Sequence, residues 1–249
     1  MDAQHRILVF GASNLWLSRR TLLLELRKRF LGRLELGLAF GPGRSYGLHA
    51  GNPFFRYQPL KDVSFGFERE PLEQKIAFIT DIGNDIAYRQ NPDTIISWVS
   101  ALSERLERYG YYVIVGGTPA ESLGTLHPRI FNFLLKLYYS EESLTQEQAV
   151  AELFELEARI QDLCQDRSYE YCKLDSEWFT YDHFHLKPKG KKPYWESLLA
   201  NFPLLHEGDV SSMSLLRPLS PDRYWFLGRQ MSGGASYPAL LSDSSISIR

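Results

Sequence analysis

Short apolar runs alternate with longer stretches of helical spacing through about the first 200 residues, and no other feature narrows the fold of this chain as much. The runs are "RILVF" (6–10), "LELGLAF" (34–40), "KIAFITDI" (75–82), "YYVIVGG" (111–117) and "YEYCKLD" (169–175). Continuous apolar strands of this kind suit a parallel sheet covered on both faces. Between them lie helical stretches over 17–30, 92–110, 128–165 and 188–202. The first sets Leu22, Leu23 and Leu26 on one side, with basic residues on another as a solvated face. The second has Pro92 near its start and Gly110 at its end. The third divides into two helices near "SEESLT", where Thr145 and Gln148 have the spacing of a capping box. Alternating β and α units predict an α/β fold, a largely parallel sheet with helices on both faces.

Beyond Pro203 the alternation stops. Residues 1–203 are expected to form one domain. Residues 204–249 are expected to be a partly irregular C-terminal extension that frays at its end, with Tyr224, Trp225 and Phe226 docked on the domain.

Composition limits the partners. The 249 residues are 44% hydrophobic and 23% charged, with a formal net charge of −2, which advertises neither nucleic acid nor an anionic surface as a partner. No window approaches the roughly 20 apolar residues of a membrane span. A single Arg6 before four apolar residues suits a strand better than a secretory leader, and the expected location is cytoplasmic. Cys164 and Cys172 alone build neither a disulfide framework nor a zinc ribbon.

In parallel sheets ligands sit beyond the carboxyl ends of the strands, so chemistry is sought in the loops that follow them. "FGAS" follows the first run. A dinucleotide site would need G-x-G-x-x-G, but only Gly11 is present, with Ser13 and Trp16 in the later positions. A nucleophile is the better reading of Ser13. A serine hydroxyl needs a base, and the base needs an acid to hold its tautomer. "YDHFHLKPKG" (181–190) supplies Asp182 and His185, spaced so that the carboxylate can reach Nδ1–H while Nε2 faces a serine. "FGPGRSYG" offers backbone N–H groups and "TDIGNDIAY" offers Asn84 as donors for an oxyanion.

These segments together resemble the SGNH, or GDSL-like, hydrolase family over most of residues 6–202. "FGAS" is similar to the first family block and implies Ser13 as nucleophile. Gly43 in "PGRS" resembles the second block's glycine, an oxyanion donor through its N–H. "IGND" is similar to Gly-x-Asn-Asp and implies Asn84 as the side-chain donor. Asp182 to His185 matches Asp-x-x-His, and "LKPKG" looks like Leu-x-Pro-x-Gly. The resemblance implies a three-layer α/β/α sandwich of flavodoxin-like type around a five-stranded sheet. It also implies ester hydrolysis by a Ser13–His185–Asp182 triad, with an oxyanion hole from Ser13, Gly43 and Asn84. No cofactor and no metal are required, and the partner is a small-molecule or glycan-linked ester. Ala12 stands where the first block has aspartate, and Ile82 stands where the third has glycine, with Gly83 one place later.

Other readings of the same residues remain beside this one. "GRSYG" (43–47) is a literal G-x-S-x-G elbow around Ser45, but "LHAGNPFF" after it reads as loop where the elbow demands a helix. His183 and His185 make an H-x-H pair that His49 or His127 would have to complete as a metal site. Trp16, Tyr46, Phe54, Phe55, Trp178, Phe179, Tyr181 and Phe184 flank the motifs and are expected in the core rather than in a pocket wall. A non-catalytic module binding an acylated or glycan ligand, or an acyltransferase, would use the same site.

Overall fold

The computed structural model describes residues 5–30, 32–51, 55–64, 74–139, 144–205, 214–219, 223–226 and 229–232. Its strands are β1 (His5–Phe10), β2 (Gly32–Ala39), β3 (Ala50–Gly51), β4 (Phe55–Tyr57), β5 (Gln74–Ile79), β6 (Tyr112–Gly116), β7 (Glu170–Cys172), β8 (Ser214–Leu219), β9 (Arg223–Phe226) and β10 (Arg229–Ser232). Its α-helices are α1 (Ser13–Arg29), α2 (Asn84–Ala87), α3 (Pro92–Arg108), α4 (Ala120–Gly124), α5 (Pro128–Tyr139), α6 (Gln146–Arg167) and α7 (Lys191–Leu198). No described helix is long and apolar enough to cross a membrane.

The five expected strands pair in parallel in the order β7-β6-β5-β1-β2, and β8 extends the sheet beyond β2 as a sixth strand. Alternation along each strand divides the core into two layers. Ile7, Val9, Ile76, Phe78 and Ile114 pack with Leu22 and Leu26 of α1 and Trp195 and Leu198 of α7. Leu8, Phe10, Ala77, Ile79, Val113 and Val115 pack with Val99 and Leu102 of α3 and Leu153 and Leu156 of α6. This is the predicted α/β/α sandwich.

The capping box at Thr145 is formed: its side chain accepts from Gln148 N–H, and the Gln148 side chain accepts from Thr145 N–H. Residues 140–143, where the break between α5 and α6 is expected, lie outside the described residues, as do Phe54 and the terminal stretch 233–249.

Three features depart from the sequence reading. α1 starts at Ser13, not at residue 17. Its basic residues do not form one solvated face: Arg27 and Arg29 are buried, with Glu25 buried between Lys28 (2.6 Å) and Arg29 (2.7 Å). Neutralisation by Glu25 is what lets this end of the helix tolerate burial. "LHAGNPFF", read as loop, contains β3 and the start of β4, which join β9 and β10 in a four-stranded sheet ordered β10-β9-β4-β3.

Arg6 and Glu35 stand directly opposite each other on β1 and β2. Both are buried, and Arg6 donates to Glu35 Oε2 through Nε (2.9 Å) and Nη2 (2.7 Å). Removing one partner strands a buried charge, so Arg6→Met is expected to cost about 3–5 kcal/mol. The double variant Arg6→Met/Glu35→Leu should lose clearly less, as read from urea unfolding of both proteins.

Candidate active site

The sheet order turns at β1. Its neighbours β2 and β5 lie on opposite sides, and the chain leaves their carboxyl ends in loops around one crevice. Ser13 follows β1, Gly43 follows β2, and Asn84 follows β5. A cavity of about 130 Å³ opens there, lined by these three residues and His185, with apolar walls that include Pro42, Leu134, Leu135, Tyr139 and Phe184.

The turn that carries Ser13 is built by close approach. A Cβ on Gly11 would lie 2.5 Å from Thr80 Oγ1 and 3.2 Å from Asp81 Oδ2, so only glycine fits between β1 and the end of β5. Asp81 Oδ2 accepts the N–H of Ala12 at 2.7 Å and of Leu15 at 3.2 Å. These are amides at the start of a helix, which have no partner within it, and a carboxylate there also meets the positive end of the helix dipole. Ala12 itself makes no side-chain cap, so a residue from the neighbouring strand end supports the turn and lets α1 begin at Ser13. Asp81 adopts φ 59°, a left-handed conformation that aspartate tolerates better than most residues. Burial pushes its carboxyl up, against hydrogen bonds from Ala12, Leu15 and Asn14.

Gly43 adopts φ 67°, and its carbonyl accepts from Tyr88 Oη at 2.6 Å. Ile82 is fully buried in the core, and a Cβ on Gly83 would lie 2.8 Å from Leu153 Cδ2. The shifted glycine thus packs under α6 while Asn84 still lines the cavity. Asn84 Nδ2 is buried with no hydrogen-bond partner among the described residues. Such a donor is costly unless something else satisfies it.

Asp182 and His185 belong to a tight turn after β7. His183 N–H donates to Thr180 O (3.0 Å), Thr180 N–H donates to His185 O (2.7 Å), and Phe179 bridges Leu186. Asp182 Oδ1 accepts from the Thr180 hydroxyl and from the N–H of Phe184 and His185, both at 3.0 Å. Its other oxygen meets His185 Nδ1 at 2.7 Å. Burial opposes the Asp182 charge, but bonds from the His185 ring, the Thr180 hydroxyl and the His185 N–H outweigh it and hold the carboxyl well below the usual range.

The loop is tied to α1 by Asn14, whose Nδ2 donates to Phe184 O (2.9 Å) and whose Oδ1 accepts Leu186 N–H (2.8 Å). Neither Asn14 nor Asp81 stands out in sequence. The only hint at Asn14 is its place beside Ser13, and at Asp81 its place at a strand end. The cavity walls from α5 were equally unmarked.

The other candidates lie apart. Ser45 is fully buried, its Oγ accepting the N–H of Gly47 (3.1 Å) and Leu48 (2.8 Å) in a loop with no helix behind it. His183 turns its Nδ1 toward Ser122 Oγ (3.0 Å) and Thr125 Oγ1 (3.2 Å) on the α4 side. Among the described residues no group of three or more His, Cys, Asp or Glu side chains could hold a metal ion. Of the flanking aromatics, Tyr46 and Phe179 are core, but Phe184 lines the cavity, and Trp16 (37%) and Tyr181 (83%) are exposed.

No protein-family model and no curated protein matches the chain. Solved structures do match it. An inhibitor-bound aryl esterase of M. smegmatis is 14% identical with a TM-score of 0.55, over 79% of this chain and 97% of that one. A carbohydrate acetylesterase family member from Sinorhizobium meliloti is 13% identical with a TM-score of 0.53, over 79% and 99%. A GDSL-like lipase from Bacteroides thetaiotaomicron is 12% identical with a TM-score of 0.51, over 79% and 87%. The chain has the SGNH/GDSL-like hydrolase fold.

Beneath the crevice, Asp85 Oδ2 accepts Tyr46 N–H at 2.9 Å, and burial pushes the Asp85 carboxyl from the usual 3.8 up to about 6. In the intervening pH window the folded chain keeps a proton that the unfolded chain has released. Stability should therefore fall as pH rises through that window, by about 3 kcal/mol in all. Urea midpoints across pH 4 to 7 should show this component in the wild type and lose it in Asp85→Asn.

Proposed function

We propose that this chain is a serine ester hydrolase acting at the crevice beyond β1, β2 and β5. Ser13 Oγ attacks the ester carbonyl and passes its proton to His185, which returns it to the departing alcohol. Water then attacks the acyl-serine with His185 as base, releasing the acid and restoring Ser13. Asp182, kept ionised by its hydrogen bonds, holds the His185 ring at Nδ1 and stabilises its charged form. The N–H groups of Ser13 and Gly43 and the Asn84 amide receive the oxyanion.

The observation that carries this reading is Asn84 Nδ2, a buried donor without a partner among the described residues, on a cavity shared with Ser13 and an Asp182-paired His185. A developing oxyanion is the kind of acceptor such a donor lacks. The likeness to an aryl esterase and an acetylesterase family member supports the same chemistry.

The cavity favours small acyl groups. An apolar cavity of about 150 Å³ accommodates benzene. The cavity here, at about 130 Å³, is of similar size and suits short acyl chains.

A panel of p-nitrophenyl esters from acetyl to dodecanoyl tests both statements. The wild type should turn over the short members fastest, and Ser13→Ala should abolish turnover and labelling by a serine-reactive phosphonate. Asn84→Ala should lower kcat by about 100- to 1,000-fold with little change in KM. A wild-type chain that hydrolyses no member and takes no phosphonate would sink the proposal.

A further inference from the structure

Asn14 holds more of the site together than its position beside Ser13 suggests. It is 9% exposed, and its amide bonds through both nitrogen and oxygen. Nδ2 donates to Phe184 O at 2.9 Å and Oδ1 accepts Leu186 N–H at 2.8 Å, and the Asp81 carboxylate lies close to the same side chain. An amide has two donor hydrogens and an acceptor oxygen, and this set uses both kinds. The two loop groups it grips belong to the residues on either side of His185. The carboxylate it meets caps the turn that carries Ser13, through Ala12 and Leu15 N–H.

The Asp182–His185 pair is made within its own turn, three residues apart, and does not by itself locate the ring relative to α1. β7, which feeds that turn, lies at the sheet edge with β6 and β5 between it and β1. The bonds from Asn14 to either side of His185 bridge that separation directly. We propose that Asn14 is a positioning residue that sets the distance and angle between Ser13 and His185, by clamping the histidine turn to the nucleophile helix.

This rests on the ester-hydrolase reading for its kinetic consequence, whereas the clamp itself has a readout of its own. Misplacement of a reacting group by about 1 Å is enough to lose on the order of 100-fold in rate. Asn14→Ala is therefore expected to lower kcat by about 100-fold with KM within about twofold, since the cavity walls are untouched. Circular dichroism and the thermal midpoint would show the variant folded at the assay temperature. Amide hydrogen exchange at Leu186 should accelerate while exchange in β1 and β5 does not.

Asn14→Asp supplies a second variant. It keeps an oxygen for Leu186 N–H, but sets a carboxylate against Asp81 and loses the donor to Phe184 O. Protonation restores that donor, so its kcat relative to wild type should climb as pH falls. Passive packing at residue 14 would leave the ratio flat. The proposal is overturned by a folded Asn14→Ala chain with wild-type kcat and unchanged Leu186 exchange, or by a flat ratio. Failure of the ester reading looks different: the wild type itself turns over no ester and takes no phosphonate, whatever Asn14 does to exchange.

Discussion

The contact on which the site depends is the Asp81 carboxylate against the first amides of α1. A helix that begins immediately after a buried strand leaves N–H groups facing the neighbouring strand ends, where water is scarce. Asp81, at the end of the adjacent strand, satisfies Ala12 and Leu15 N–H and supplies negative charge at the positive end of the helix. The arrangement requires Gly11, because any side chain there would strike Thr80 and Asp81. It also requires β1 and β5 to stay in register, which their parallel ladder from His5↔Gln74 to Phe10↔Ile79 ensures.

A second carboxylate plays a comparable part across the crevice. Asp182 accepts from the His185 ring through one oxygen and from Thr180, Phe184 and His185 through the other. The same group that orients the imidazole therefore builds the turn that presents it. Asn14 sits between the two carboxylate-centred units, in the helix turn that Asp81 caps and bonded to the peptides on either side of His185. Ser13 and His185 come from segments far apart in sequence, and this short chain of polar contacts links their supports.

Local signals carried most of the fold. β1, β2, β5 and β6 lie in short, mostly apolar runs and were legible for that reason, as was the capping box at Thr145. Ser13, Gly43, Asn84 and His185 were traceable because each follows a strand, and the structure brings them to one cavity with Asp182 behind His185. Asp81 was not, because the amides it serves lie 69 and 66 residues away and no spacing rule connects them. β3 and β4 are two and three residues long, too short for any period to show. β8 carries Pro218, which argues against a central strand but is tolerated at the sheet edge where β8 lies. Burial of Arg29 goes with its pairing to Glu25, which a helical pattern in isolation does not reveal.

The pairing of β2 with β8 has a consequence for how the chain is made. Strands β1, β2 and β5, which pair with one another in the folded sheet, are all present once residue 79 has been synthesised. The other side of β2 waits for residues 214–219. Until then it is an open row of backbone donors and acceptors on an apolar strand, the kind of edge that recruits other chains. Ribosome pausing, truncation or a premature stop before residue 214 would leave that edge uncovered. Aggregation during synthesis, rather than loss of the crevice, is the hazard this topology creates.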